Sequence, residues 1–586
     1  MSAPAIRIGA ATLFAVVTLG VLRAAPAPAD ARAALARGIE ALHYFEYEEA
    51  DETFREVHRL DRALVMACWG EAMTFHQTLW RNEDVQQARN ALAACGPTPE
   101  ARAAKASTPK DRMYLAAADS LFGEGDGAVR RQRYADSMAA LYAREPDDPD
   151  VASFYALALL GTMSRGLIGS DPHEGHVQAL AGSATQKRVN EILGAVLRAH
   201  PSHPGALHYL LHNNDDPEHA EAALPAARTL AKLAPDFSHA LHMPAHIFLQ
   251  RGDWKEAAAS DAAAFAASDR WVKRKGLPLA TRSYHALSWL QYELLQLGRY
   301  REARATLDEL EPVVRSDSRQ LGLLSDLSTM RARAVVETED WSAMAQQQTF
   351  GNADELFAVA MSAARTGRAE VAERARQALG AKTRDEREGD LRPAIAIMER
   401  EVAAAIAFAG GRRDEALAIA RAAAADEARL PAPMGLPEPI KPAPELLGEM
   451  LIDAGRAAEA DPVFDAALRR NPQRSLSLAG RARAAAVTGA HDRAREYYSA
   501  LLANLENADA NIALVTDARA ALAQPPTDTR RPPQWLGLFA STGGLMIVAL
   551  AITVFAIGLA VIRRAAKTMR VRTKQTGATK RARRNR

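Results

Sequence analysis

Residues 446–502 read LLGEMLIDAGRAAEADPVFDAALRRNPQRSLSLAGRARAAAVTGAHDRAREYYSALL, and their internal period decides the fold. Gly455 and Gly489 stand 34 residues apart, as do Ala460 and Ala494, and Phe464 and Tyr498. Between these marks the apolar residues recur at three and four, the spacing of one helix face. Gly and Pro break the run every 12–20 residues across the chain, and strand signals are scarce. A 34-residue unit of this kind is two short helices joined by a tight turn, and such a unit buries its apolar face only by stacking on a neighbour. Small residues at the crossing point let the helices approach, and larger residues fill the gaps beside them.

These marks resemble the tetratricopeptide repeat superfamily. In its frame Leu447 and Gly448 take positions 7 and 8, Gly455 position 15, Ala460 position 20, Phe464 position 24 and Pro472 position 32. Further repeats read in the same way: Gly38, Ala50 and Phe54; Gly252, Trp254 and Ala257; Gly298, Tyr300 and Ala303; Gly367 with Ala372; and Gly411 with Ala416. The intervals of 46 from Gly252 to Gly298 and 44 from Gly367 to Gly411 exceed the period, so longer helices and insertions interrupt the array. Loops are expected at 96–110, 161–187 and 427–444. The expectation is an all-α solenoid of about nine to twelve hairpins. Its parts are a His-rich N-terminal array over 30–310, degenerate repeats over 311–426, the Pro-rich loop 427–444 and a C-terminal repeat pair over 445–522. More narrowly, ALHYLLHNNDDPEHA (206–220) and SHALHMPAHIFLQRGDW (238–254) resemble a group of large bacterial tetratricopeptide proteins with an HMPxHIF-like segment. That likeness covers roughly residues 35–310 and implies a fold and a groove, with no assigned activity.

The ends of the chain speak about its address. Residues 8–22, IGAATLFAVVTLGVL, form an apolar run behind Arg7, with Ala27-Pro28-Ala29 as a small-x-small cleavage site. This is the pattern of a signal peptide over 1–29, an uncleaved anchor being the alternative. Trp535 to Ile562 gives 28 residues without a charge, after a Pro-rich linker at 523–534. At about 1.5 Å per residue that exceeds the roughly 30 Å hydrocarbon core, so one transmembrane helix is expected. Residues 563–586 carry eleven Lys or Arg and no acid, which places this tail in the cytoplasm and attracts anionic lipid. The expected location is a bacterial inner membrane, single-pass, with residues 30–534 in the periplasm.

The 586 residues are 48% hydrophobic, 6% aromatic and 25% charged, which excludes a mainly disordered chain. The formal net charge of +2 conceals an uneven distribution. With the basic tail and the two arginines of residues 1–29 set aside, residues 30–534 hold a net charge of −11. That balance excludes nucleic acid as the ligand of the large segment. The two cysteines, Cys68 and Cys95, lie on either side of an expected turn near Arg81-Asn82, a spacing open to a disulfide or to two separate buried thiols. There is no CxxC, no phosphate-binding Gly loop and no GxSxG elbow, and HEGH at 173–176 lacks the HExxH spacing.

The histidines are the chemical anomaly. Of fifteen, eleven fall between His173 and His285. His208 and His242 are 34 apart, and so are His212 and His246, which sets both pairs at positions 5 and 9 of consecutive first helices. Residues four apart share a helix face. The resemblance implies that positions 2, 5, 9, 12 and 13 line a concave groove. His239 and His285 fall at position 2, His43 near position 13, and Trp69, Met73 and His76 near positions 5, 9 and 12. Two uses follow. A protein or peptide partner binds the groove, with His43, Trp69, Met73, His76, His239 and His285 on its wall. Alternatively His208, His212, His242 and His246 hold zinc or copper, with Asp215, Asp216 or Asp236 orienting the rings. A pH-tuned groove is a third use of clustered imidazoles. Pro244 lies within the same helix and predicts either a kink between His242 and His246 or a helix that begins near Pro244.

Overall fold

The computed structural model describes residues 29–163, 182–317, 319–345, 351–385, 389 and 391–523. The expected signal peptide, the membrane helix 535–562 and the basic tail lie outside these residues, as do His173 and His176. Among the described residues there are 25 α-helices and one short strand pair, His76–Gln77 with Asn82–Glu83. No helix among them is long and apolar enough to cross a membrane. The architecture is an all-α solenoid. Consecutive helices pair as antiparallel hairpins, such as Ala29–His43 with Tyr47–Leu60, Ser238–Arg251 with Trp254–Lys275, and Ser475–Val487 with His491–Asn504.

The glycines that mark the period close the first helix of each hairpin. Gly252, Gly298, Gly367, Gly411, Gly455 and Gly489 all have φ between 66° and 79°, a left-handed turn that costs an L side chain and not glycine. At Gly252 the turn is a Schellman-type cap, with Gly252 N–H on Leu249 O and Asp253 N–H on Phe248 O. The aromatic at position 24 wedges between two glycines. Phe464 is fully buried, and a Cβ on either Gly448 or Gly480 would run into its ring. Gly38, Phe54 and Gly70 repeat this wedge with the same 16-residue steps in the first hairpins. Two ends of the chain thus solve the helix-crossing problem in one way.

Two expectations are corrected. Residues 96–110 hold a helix, Pro99–Lys105, started by a Thr98 cap and a first-turn proline. The helix Ser238–Arg251 begins six residues before Pro244 and continues through it, so the late start does not occur. The loop 428–442, within the expected Pro-rich loop 427–444, packs onto the array. Gly435 lies against Trp289, Pro433 O accepts from Gln250 Nε2 at 2.8 Å, and Lys441 is fully buried between Glu445 (2.9 Å) and Glu449 (2.7 Å).

The array also folds back on itself. Trp254 Nε1 donates to Gln473 O at 3.0 Å, and Asp509 N–H to Gly298 O at 2.9 Å. Arg474, fully buried, is clamped by Glu445 and Glu337. The last repeats therefore cover the turns of the middle ones. Cys68 and Cys95 form a disulfide across the hairpin that turns at Arg81.

Candidate metal centre

Three first helices build the site: Pro204–Asn213, Ser238–Arg251 and Tyr284–Gln296. Their residues at positions 2, 5 and 9 are Gly205, His208 and His212; His239, His242 and His246; and His285, Ser288 and Tyr292. Each i, i+4 pair meets the position-2 histidine of the next helix. His208 Nε2 lies 3.1 Å from His212 Nε2 and 3.1 Å from His239 Nε2. His242 Nε2 lies 3.0 Å from His246 Nε2 and 2.9 Å from His285 Nε2. The expected quartet of His208, His212, His242 and His246 is thus divided into two triads. A single helix face cannot close a site, and the third ligand comes across the helix–helix gap from position 2. The pattern ends where position 2 is Gly205, whose missing side chain makes room for the His43 ring, and where positions 5 and 9 become Ser288 and Tyr292.

The ring tautomers are set from behind. His208 Nδ1 donates to the His43 carbonyl at 2.6 Å, and His246 Nδ1 to Asp215 Oδ2 at 2.7 Å. A carbonyl only accepts, so Nδ1 of His208 carries its proton and Nε2 presents a lone pair to the triad. Burial pulls the His208 imidazole down to about 3, which keeps it neutral. His242 Nδ1 lies 2.5 Å from Asp261 Oδ1. Burial pushes the Asp261 and Glu293 carboxyls well up, and their mutual repulsion adds to this for Glu293. Of the expected orienting acids, Asp215 serves a triad. Asp216 instead accepts from His219 and Gln186, and Asp236 is exposed beside Arg270. Asp261 was not legible as a partner, because position 24 is the place of an aromatic wedge.

The donor set fits a transition metal. Bonds of about 2.0–2.1 Å to imidazole nitrogen, arranged tetrahedrally, put ligand nitrogens about 3.3 Å apart, close to the 2.9–3.1 Å found. In each triad the three nitrogens lie within 4.8 Å of one another. A third cluster, His43, Asp150 and His203, meets the same distance test but not the chemical one. His203 Nδ1 accepts the Ala206 N–H at 3.1 Å, so its proton is on Nε2, which donates to Asp150 at 3.1 Å. His43 does likewise, donating from Nε2 to Asp150 at 2.9 Å with Tyr209 Oη against Nδ1. Burial opposes the Asp150 carboxylate, yet these two hydrogen bonds outweigh it and hold it well below its usual range. That cluster is satisfied by hydrogen bonds.

Both triads open on one cavity of about 490 Å³, with His212, His239, His242, His246 and His285 on its wall beside Phe45, Tyr47 and Trp80. Trp80 meets the His239 ring edge-on at 5.3 Å, and Trp289 lies 4.2 Å from His246. Glu46, pushed up to about 7 by burial, accepts the His239 N–H. The remaining expected groove residues are elsewhere. His43 belongs to the Asp150 cluster. Trp69 and Met73 lie in the core, Trp69 against Tyr114 and Phe154, and His76 is buried beside Glu83. None of these four lines the cavity, because the aromatic side chains of the first hairpins turn inward to fill the helix crossings.

No family model matches the chain, and no curated protein matches it. Similar solved structures include yeast Tom70 (12% identity over 84% of this chain and 95% of that one, TM-score 0.27), the P58(IPK) TPR domain (13%, 84% and 98%, TM-score 0.21) and a human IFIT1 dimer with m7Gppp-AAAA (13%, 82% and 96%, TM-score 0.31). These neighbours are tetratricopeptide-repeat proteins. At such identities and scores the likeness says nothing of ligand or activity, and the class of fold rests on the chain's own hairpins and turn glycines.

Proposed function

We propose that this chain is a periplasmic, membrane-anchored helical-repeat protein that binds two transition-metal ions, copper or zinc, one in each histidine triad. The observation that carries this reading is the convergence of three Nε2 atoms, twice, on adjacent repeats, with His208 and His246 presenting lone pairs. Neutral imidazoles suit copper and zinc. The acceptors behind them fix ring orientation, as is usual for metal-bound histidine. The cavity has the size of a small-molecule site and an aromatic wall, which supports a small ligand at the ions. Charge-free residues 535–562 and the basic tail support the anchor.

The test is elemental analysis of the full chain, purified in detergent. Two ions per chain are expected, falling to one in His208→Ala and one in His285→Ala while circular dichroism stays helical. A folded protein that takes up neither copper nor zinc on dialysis refutes the reading. If such a protein retains a peptide against the same histidines, the scaffold role, in which a protein or peptide partner occupies this site, takes its place.

A further inference from the structure

The two triads are neighbours on a single helix. His239 closes the first triad and His242 and His246 belong to the second, an i, i+3, i+7 stripe on Ser238–Arg251. One helical turn advances about 5.4 Å, so ions held at these positions sit side by side. The two triads are adjacent, with 6.5 Å between the ring centroids of His212, in the first, and His246, in the second. Both sets face the same aromatic-walled cavity.

The ligands are six imidazoles, with no thiolate or carboxylate in either triad. His208, His212, His242 and His246 are each at most 3% exposed. The cost of burying an ion grows with the square of its charge, and neutral ligands offset none of that charge. A singly charged ion is favoured here over a doubly charged one, and copper(I) is the singly charged metal that imidazole binds. Three nitrogens leave each ion open to a further ligand. The wall of Phe45, Tyr47 and Trp80 beside that opening favours an apolar one.

We propose that the triads hold a pair of copper ions acting as one centre, and that its ligand is dioxygen, bound between the two ions. This rests on the metal reading above. The step balances without a further reagent. Each copper(I) gives one electron, the dioxygen takes both to become peroxide while its O–O bond remains, both ions become copper(II), and no proton moves.

The experiment uses the full chain, loaded anaerobically with copper(I) and then exposed to dioxygen. Copper per chain, optical absorption and electron paramagnetic resonance are read together. The expected result is two coppers per chain, a new visible absorption on oxygen addition, and loss of nearly all the copper(II) resonance because the paired spins cancel. His285→Ala and His239→Ala, which break different triads, should each retain one copper and show its full signal after chemical oxidation. Two coppers with the resonance of two isolated ions overturn the pairing and leave the metal reading intact. Zinc retained against excess copper(I) overturns the choice of metal and the dioxygen chemistry with it. No copper bound overturns both.

Discussion

Replacing Asp215 by Asn separates the two triads. Asp215 is fully buried, with Oδ2 accepting from His246 Nδ1 at 2.7 Å and Oδ1 from Gln250 Nε2 at 3.1 Å. A carboxylate accepts on both sides, whereas an amide accepts on one and donates on the other. In the variant either His246 loses its acceptor, or Gln250 must flip and give up its bond to Pro433 O, which holds the 428–442 loop over the site. Loss of the group that orients a metal-bound histidine typically weakens binding about 10- to 100-fold, or about 1.4–2.7 kcal/mol. Competition for copper(I) against a chelator of known affinity reads both sites. One site should weaken by that factor, and the other, whose His208 leans on a backbone carbonyl, should keep its affinity. Equal weakening of both sites, or no change in either, would refute the division into triads and the assignment of Asp215 to one of them.

Phe464→Ala empties the wedge between Gly448 and Gly480, and at a fully buried phenylalanine the cost is about 3–5 kcal/mol, to be read as a lower urea midpoint by circular dichroism; a shift below 1 kcal/mol would show that the crossing collapses without it. Reduction of Cys68–Cys95 frees a 27-residue separation, worth about 3.5 kcal/mol on the chain-entropy account, so the reduced protein should melt at lower temperature; an unchanged melting curve counts against it. Burial raises the Glu427 carboxyl to about 7, against the pull of Arg470. A carboxyl whose folded pKa is raised contributes stability at low pH that disappears as pH climbs from about 4.5 to about 7, at about 1.4 kcal/mol per unit. Urea midpoints measured between pH 5 and 7.5 should fall with pH in the native chain and stay flatter in Glu427→Gln; parallel slopes would assign the effect to another group.

The fold was legible because its rule is local and repeated. A 34-residue step, a glycine at each turn and a small residue at each crossing are properties of one hairpin, and the structure keeps them at Gly252, Gly455 and Gly489. The site was legible only in part. The register of His208 with His242 followed from the same period, but which ring closes on which depends on the tilt between neighbouring helices, and no period encodes that. Asp261 and Trp289 were hidden for another reason. One arrives from a second helix and the other is held beneath the distant loop 428–442, so their partners are set by contacts far apart in the chain. His43, Trp69, Met73 and His76 carried a groove position by counting, yet the first hairpins bury them. Aromatic side chains at a crossing release more free energy by filling it than by facing water.

The triads are copies in ligand geometry but not in what stands behind the ligands. Behind His208 is a peptide carbonyl, and behind His242 and His246 are the carboxyls of Asp261 and Asp215. A carboxylate at the far nitrogen, the place Asp215 takes behind His246, makes an imidazole a stronger donor and brings negative charge within a few ångströms of the ion, whereas burial holds Asp261 toward its neutral form. The second triad is therefore the better host for a more highly charged ion and the first for a less charged one. A repeat array supplies this asymmetry at little structural cost. Duplication of a helix copies positions 5 and 9 together, while the residues that face them from the second helices and from the returning loop diverge separately. Two sites of matched ligand geometry and unmatched surroundings thus arise here from a single step of the solenoid.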